Sequence, residues 1–142
     1  MGILSNKLTI LNNLKSPFIK KTFMNLGLLL MRFSFSAGMM AHGYRKFLKV
    51  IQGDFDFADP VGFGSTVSLI LATIGEFIAP IFIIIGWKTR LFSIFPIFTM
   101  LVAFLIEHDG DPFSKKEKSL MYLIAFIVIY FIGPGKYSID NE

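Results

Sequence analysis

The chain contains no cysteine among its 142 residues, and it contains only two histidines. Without thiols it cannot itself exchange disulfides, hold an iron–sulfur cluster by thiolates or attach a c-type haem. The sequence also lacks a glycine-rich phosphate loop, a nucleophile elbow and a helix with histidines spaced for zinc. Any electron chemistry therefore needs a bound cofactor or a partner protein.

Charge is scarce as well, because 17% of the residues are charged whereas 54% are hydrophobic. The seventeen phenylalanines and the long runs of isoleucine and leucine suit hydrocarbon, since lipid-facing positions require apolar side chains all round a helix. The net charge of +4 comes from basic residues that flank the apolar segments, so we expect no nucleic-acid partner. The expected environment is the lipid bilayer.

Four apolar segments approach the length needed to cross about 30 Å of hydrocarbon. They are residues 23–44, 63–86, 91–107 and 117–132. The segments lack the apolar/polar alternation of membrane strands. Pro96 lies in the third segment, where neighbouring helices can satisfy the freed backbone carbonyl. We therefore predict an all-α membrane protein with a bundle of four transmembrane helices.

The first 22 residues lack the continuous apolar core of a cleavable signal peptide. Apolar and basic residues recur at helical spacing at Leu4, Leu8, Leu11, Lys15 and Phe18. This pattern is typical of an amphipathic helix on an anionic leaflet, although a cytoplasmic tail fits as well. We divide the chain into a cytoplasmic or interfacial segment, residues 1–22, and a transmembrane domain, residues 23–140.

Basic residues are spread almost evenly between the two sides of the predicted bundle. The lysines before the first apolar segment are Lys7, Lys15, Lys20 and Lys21. The first helix often dominates topology, so we predict a multi-pass protein with both termini in the cytoplasm.

Arg32 and Glu76 lie deep inside apolar segments, where a charge costs roughly 2.5 to 3.5 kcal/mol even on lenient scales. Such a charge is tolerated where an interacting partner or a water-filled cavity stabilises it. Idealised helices place both residues about 13 to 15 Å from the cytoplasmic boundary, so we expect one buried site. That site is either a structural ion pair or part of a proton, ion or substrate route.

Helical spacing indicates which side chains face this site. On the first segment one stripe consists of Arg32, Phe35, Met39, His42 and Lys46. On the second segment a small-residue face consists of Ser68, Ala72, Gly75 and Ala79, next to Glu76. Pro80 cannot donate to the carbonyl of Glu76, so this acceptor is expected to be free.

A second polar cluster is expected at one membrane face, where His42, Glu107, His108 and Glu117 lie at segment ends. Two histidines could in principle ligate a b-type haem, or a metal together with Glu117. We expect neither, because histidine and glutamate at an interface are more often solvated. Hydrogen bonding to a lipid head group or a quinone ring requires a less specific arrangement of side chains than ligation of haem or a metal.

Several short motifs occur in a fixed order along the chain. They are Arg32, His42-Gly43-Tyr44-Arg45-Lys46-Phe47, Gly75-Glu76, Gly86-Trp87-Lys88-Thr89-Arg90, His108 and Gly133-Pro134-Gly135-Lys136-Tyr137-Ser138-Ile139-Asp140. In order and spacing, residues 26–140 resemble the DoxX family. The N-terminal segment departs from the shortest form of the family pattern and could dock a partner or the membrane.

The resemblance implies a small four-helix protein of the bacterial cytoplasmic membrane. The family is named for a subunit of a quinone-linked oxidase, and relatives are associated with thiosulfate:quinone oxidoreduction or with redox-stress complexes. The family pattern implies a polar core of Arg32, Glu76 and His108. It also implies edge positions for Lys46, Arg90 and Glu117, and His42 belongs with this secondary cluster.

Three functions remain open at this point. In the first, the chain is expected to be a quinone-facing subunit of an oxidoreductase with redox enzyme subunits as partners. Arg32, Glu76 and His108 would then contact quinone or relay protons. Alternatively, it is a carrier of lipids or small molecules that forms a homo-oligomer. The third alternative is a non-catalytic anchor or assembly subunit. The sequence does not decide whether turnover occurs.

Overall fold

The structure, a computed structural model, describes residues 17–140, apart from the side chains of Pro17 and Phe18. Most of the predicted amphipathic segment, residues 1–16, lies outside the described residues, as do residues 141–142. Residues 17–22 form the first turns of a continuous helix. Throughout the described part the chain is helical with connecting loops and no strand, which confirms the all-α prediction.

Within residues 17–140 four helices form the bundle, each built on one predicted segment. They are α1 (Pro17–Gln52), α2 (Ser65–Ile85), α3 (Thr89–Glu107) and α4 (Phe113–Ile132). By length and composition three of them could cross a membrane, namely Ile19–Gln52 of α1, and α2 and α3. The fourth, α4, begins with a charged turn that contains Lys115, Lys116, Glu117 and Lys118.

The core lies between the four helices. Its buried residues are Met39, Ile83, Met100, Leu123, Phe126 and Ile129, so every helix contributes. Large apolar side chains also cover the outside, for example Phe33, Phe98 and Phe131, which are 57%, 50% and 74% exposed. An apolar outer surface on all helices is expected where lipid is the solvent.

Two helices contain a π-turn, one in the middle of α2 and one at the C-terminal end of α3. In α2 the π-turn covers Ile74–Ile78, and in α3 it covers Ala103–Glu107. Pro80 accounts for the first, because it has no N–H to donate to the carbonyl of Glu76 and so breaks the regular hydrogen-bond ladder. Such turns in α-helices occur frequently at functional sites.

The bundle has two chemically different ends. At one, called the turn end, the chain reverses tightly between α2 and α3, and the C-terminal segment, residues 133–140, folds back onto this reversal. Backbone hydrogen bonds run from Ile139 N to Ile85 O, 3.3 Å, and from Asp140 N to Gly86 O, 2.9 Å. The other, called the loop end, carries the loops of residues 53–64 and 108–112.

Candidate functional site

Arg32 is buried at the turn end, where it holds the C-terminal segment. It is 1% exposed. Its guanidinium donates to Pro134 O at 2.5 Å and Tyr137 O at 2.6 Å, and also to Ile84 O of α2 at 3.3 Å. A buried arginine is stabilised where its donors are paired, and here backbone carbonyls accept hydrogen bonds from Nη1 and Nη2, while Nε is buried without a partner among the described residues. Arg32 therefore links α1, α2 and the C-terminal segment.

The expectation that Arg32 and Glu76 form one buried site is wrong. Arg32 lies beside Gly86, where an added Cβ would be 2.8 Å from its Nη1, whereas Glu76 lies beside Gly43. The helical stretch between Glu76 and Gly86 spans about 15 Å. Gly86 is not level with residue 23 as expected, because α1 begins earlier and Gly86 packs against Arg32 instead.

Glu76 is paired with Lys46 of α1, in the middle of the π-turn of α2. Glu76 is 4% exposed, and the side chain of Lys46 is 26% exposed. Gly43 allows α1 to approach this turn, since a Cβ there would lie 2.6 Å from the carbonyl carbon and oxygen of Glu76. Gly75 similarly allows α3 to approach, with Phe95 O 3.1 Å from its Cβ position. Close packing on both sides thus fixes Glu76.

A cavity of about 230 Å³ opens at the loop end, and we call it the polar cavity. It is lined from all four helices by Met39, His42, Lys46, Glu76, Met100, Ala103, Glu107, His108, Lys115, Lys118, Ser119 and Tyr122. Acidic, basic, imidazole and phenol groups meet in this cavity, to which the two π-turns contribute Glu76, Ala103 and Glu107. The arrangement can donate and accept hydrogen bonds or transfer protons.

The structure brings together some of the residues that the sequence singled out and separates others. His42, Lys46, Glu76, Glu107 and His108 all line the polar cavity. Two further residues do not. Glu117 is exposed outside this cavity. Arg90 lies at the turn end with Pro134 and Asp140.

Sequence reasoning missed five polar residues of this region. Four of them line the polar cavity from α4, namely Lys115, Lys118, Ser119 and Tyr122. Their spacing of three and four residues places them on one helical face, a signal that could have revealed them. The fifth is Asp111, which contacts His108 and lies in a loop where no periodicity could indicate it.

His108 is oriented by Asp111. Its Nδ1 lies 3.1 Å from Asp111 Oδ2, and the other carboxylate oxygen accepts a hydrogen bond from Lys115 Nζ at 3.2 Å. The hydrogen bonds from His108 and from Lys115 hold the pKa of Asp111 below its ordinary value. Asp111 is therefore a carboxylate anchored between the end of α3 and the start of α4.

An apolar cleft adjoins the polar cavity. This α1–α4 cleft has a volume of about 270 Å³ and is lined by Ser34, Phe35, His42, Lys118, Met121 and Tyr122. Three of these residues, His42, Lys118 and Tyr122, also line the polar cavity. The Tyr122 ring stands edge-on to both His42 and Phe35, with centroid distances of 5.9 and 6.0 Å. The two spaces are thus neighbours that share one wall.

Within residues 17–140, no group of three or more histidine, aspartate or glutamate side chains is arranged to hold a metal ion. His42 and His108 both line the polar cavity, but His108 already uses Nδ1 toward Asp111.

Comparison with known proteins identifies the family. The DoxX family model matches residues 27–109, more than half of the chain. The match covers most of α1, all of α2 and α3, and therefore Lys46, Glu76 and His108. No curated protein and no solved structure matches the chain. The apolar helices and this family match together make the chain a membrane protein that belongs to the DoxX family.

Proposed function

We propose that this protein is an integral membrane subunit of a quinone-linked oxidoreductase, with the quinone ring in the polar cavity and its isoprenoid tail in the α1–α4 cleft. The observation that carries the proposal is the wall shared by these two spaces, formed by His42, Lys118 and Tyr122. A polar space joined to an apolar one matches a molecule with a polar head and an apolar tail. The imidazole, ammonium and phenol groups on this wall are suited to oxygen substituents.

The dimensions and chemistry of the two spaces support this assignment. Their volumes of about 230 and 270 Å³ together reach the range of roughly 300–1,000 Å³ that is usual for small-molecule sites. Lys118 and Tyr122 can donate to ring carbonyls, while His108 and Glu107 can accept from ring hydroxyls. Arg32 is not part of the proposed site, because it lines neither space and its Nη1 and Nη2 donate hydrogen bonds at the turn end.

Electrons would come from a partner subunit. The sequence has no cysteine with which to hold an iron–sulfur cluster, so we propose a redox enzyme subunit as donor or acceptor. Gentle solubilisation of native membranes followed by mass spectrometry tests this. Stoichiometric recovery of a dehydrogenase or a sulfur-oxidising subunit is expected, whereas recovery of the chain alone, or only with copies of itself, would favour an independent carrier.

Binding of a short-chain quinone to the purified protein in nanodiscs tests the site directly. We expect saturable binding that Met121→Trp weakens at least tenfold, because the indole fills the α1–α4 cleft. Ile124→Trp is the matched control, since Ile124 lies on the same helix, is 53% exposed and does not line the cleft. Equal weakening by both variants, or no saturable binding by the wild type, would contradict the proposal.

We also propose that the protein lies in the bacterial cytoplasmic membrane with the turn end, and thus both termini, facing the cytoplasm. Lys88, Arg90 and Lys136 at this end agree with the preference of basic residues for that side. The cysteine-free sequence makes labelling simple. In intact cells a membrane-impermeant maleimide is expected to label Ala58→Cys and not Lys136→Cys, and the reverse result would invert the topology.

A further inference from the structure

His108 lies immediately after α3, where it is half-buried and lines the polar cavity. Its Nδ1 contacts Asp111 Oδ2 at 3.1 Å. Asp111 does not line the polar cavity. With Nδ1 engaged by Asp111, Nε2 is the ring nitrogen left for a ligand in the cavity.

The chemistry of the contact determines the proton position on the ring. A carboxylate can only accept hydrogen bonds, and a neutral imidazole has one N–H and one lone pair. The contact with Asp111 therefore places the hydrogen on Nδ1 and leaves the lone pair on Nε2. Lys115 binds the second oxygen of Asp111 at 3.2 Å, which keeps the carboxylate in place from α4.

We propose that Asp111 is a positioning residue that fixes the Nδ1–H tautomer of His108, so that Nε2 accepts a hydrogen bond from a hydroxyl group and the site prefers quinol over quinone. This inference rests on the proposed function and names the redox form that the site recognises. Glu107 also lines the polar cavity and provides a second acceptor. The carboxylate of Glu76 is engaged by Lys46.

Histidine NMR tests the tautomer without any activity assay. The chain has only two histidines, so a ¹⁵N-histidine sample gives two imidazole rings, and His42→Gln assigns them. For neutral His108 we expect a protonated Nδ1 and an unprotonated Nε2. Asp111→Ala should abolish the preference of His108 for the Nδ1–H tautomer, whereas Asp111→Glu should retain it. Asp109→Ala, an exposed change in the same loop, should leave it intact.

Binding of the two redox forms of one short-chain quinone tests the consequence. The wild type should bind the quinol about tenfold more tightly than the quinone, the value of one hydrogen bond. Asp111→Ala should reduce this ratio to near one, while Asp109→Ala keeps it. An Nε2–H tautomer in the wild type, or a ratio that Asp111→Ala does not change, would overturn the inference.

The two proposals fail in different ways. If both redox forms bind equally, the redox preference is overturned while the quinone site stands. If neither form binds, the quinone site is overturned and the preference with it, whereas the tautomer of His108 still decides whether Asp111 positions the ring.

Discussion

Lys46 of α1 and Glu76 of α2 form an ion pair in the wall between two cavities. One is the polar cavity, and the other is a smaller space of about 50 Å³ on the side of α2 and α3, which the same two residues also line. Glu76 is almost completely buried, and Lys46 is the cation that its carboxylate contacts. The pair therefore links α1 to α2 and also contributes charged groups to the lining of the candidate site.

Lys46→Met is expected to destabilise the fold by about 1–3 kcal/mol, because it leaves a buried carboxylate without its cation. The value is below that of a fully buried pair, since the Lys46 side chain is 26% exposed. Thermal unfolding in detergent measures the loss. Addition of Glu76→Gln should recover part of it, and strictly additive effects in this double-mutant cycle would show that the two residues are not coupled.

Gly43→Ala is expected to destabilise the protein by about 1–3 kcal/mol through overpacking. The new methyl group would lie 2.6 Å from the backbone carbonyl of Glu76, so either α1 or the π-turn must move. Gly27→Ala on the same helix is the control, because no atom lies within 4 Å of its Cβ position. The control should be neutral or stabilising by up to about 1 kcal/mol. Equal melting temperatures for the two variants would argue against the close approach.

Arg32→Met is expected to release the C-terminal segment and to destabilise the fold by about 3 kcal/mol, since three backbone carbonyls lose a charged donor. Trypsin should then cleave after the exposed Lys136 faster than in the wild type. Arg45→Met, an exposed change on the same helix, provides the control. Unchanged cleavage at Lys136 would show that the segment stays docked without Arg32.

Asp140→Ala is expected to cost about 0.5–2 kcal/mol at neutral pH, because the carboxylate accepts hydrogen bonds from the backbone N–H groups of Lys88 and Thr89 at 2.9 Å each. Burial acts to raise the pKa of Asp140, but the hydrogen bonds with Thr89 and Lys88 and the charge of Arg32 bring it below its ordinary value of 3.8. A lowered pKa in the folded state means that the stabilisation is complete above the ordinary value and is lost as the pH falls through the folded value. The difference in stability between wild type and variant should therefore shrink below about pH 4, and a difference that is constant with pH would contradict this role.

The polar stripe on α1 shows what helical periodicity can predict and what it cannot. Spacing placed Arg32, Met39 and Lys46 on one face, and the structure turns all three toward other parts of the protein. Periodicity could not provide the axial offset between α1 and α2, because that offset depends on which residues allow the backbones to approach. Gly43 against Glu76 and Gly86 against Arg32 fix the offset. Each charge therefore has a different partner from the expected one.

The partners of Arg32 illustrate a second limit. Backbone carbonyls of Pro134, Tyr137 and Ile84 receive its hydrogen bonds, and every residue type carries such a carbonyl. No side-chain pattern could therefore indicate them. Asp111 was missed for a similar reason, since its contact with His108 depends on the shape of a short loop.

By itself the sequence determined the solvent, the number and approximate bounds of the helices, and the burial of Arg32 and Glu76, because apolar length and helical periodicity are properties of a single segment. Only the tertiary structure decided that Arg32 holds the C-terminal segment, that Lys46 pairs with Glu76, and that His108 both lines the polar cavity and contacts Asp111. Each of these contacts joins residues that are distant in sequence or that a loop brings together. They depend on the close packing of helices at glycines and on backbone groups, which are the same in every residue type and so leave no pattern in the sequence.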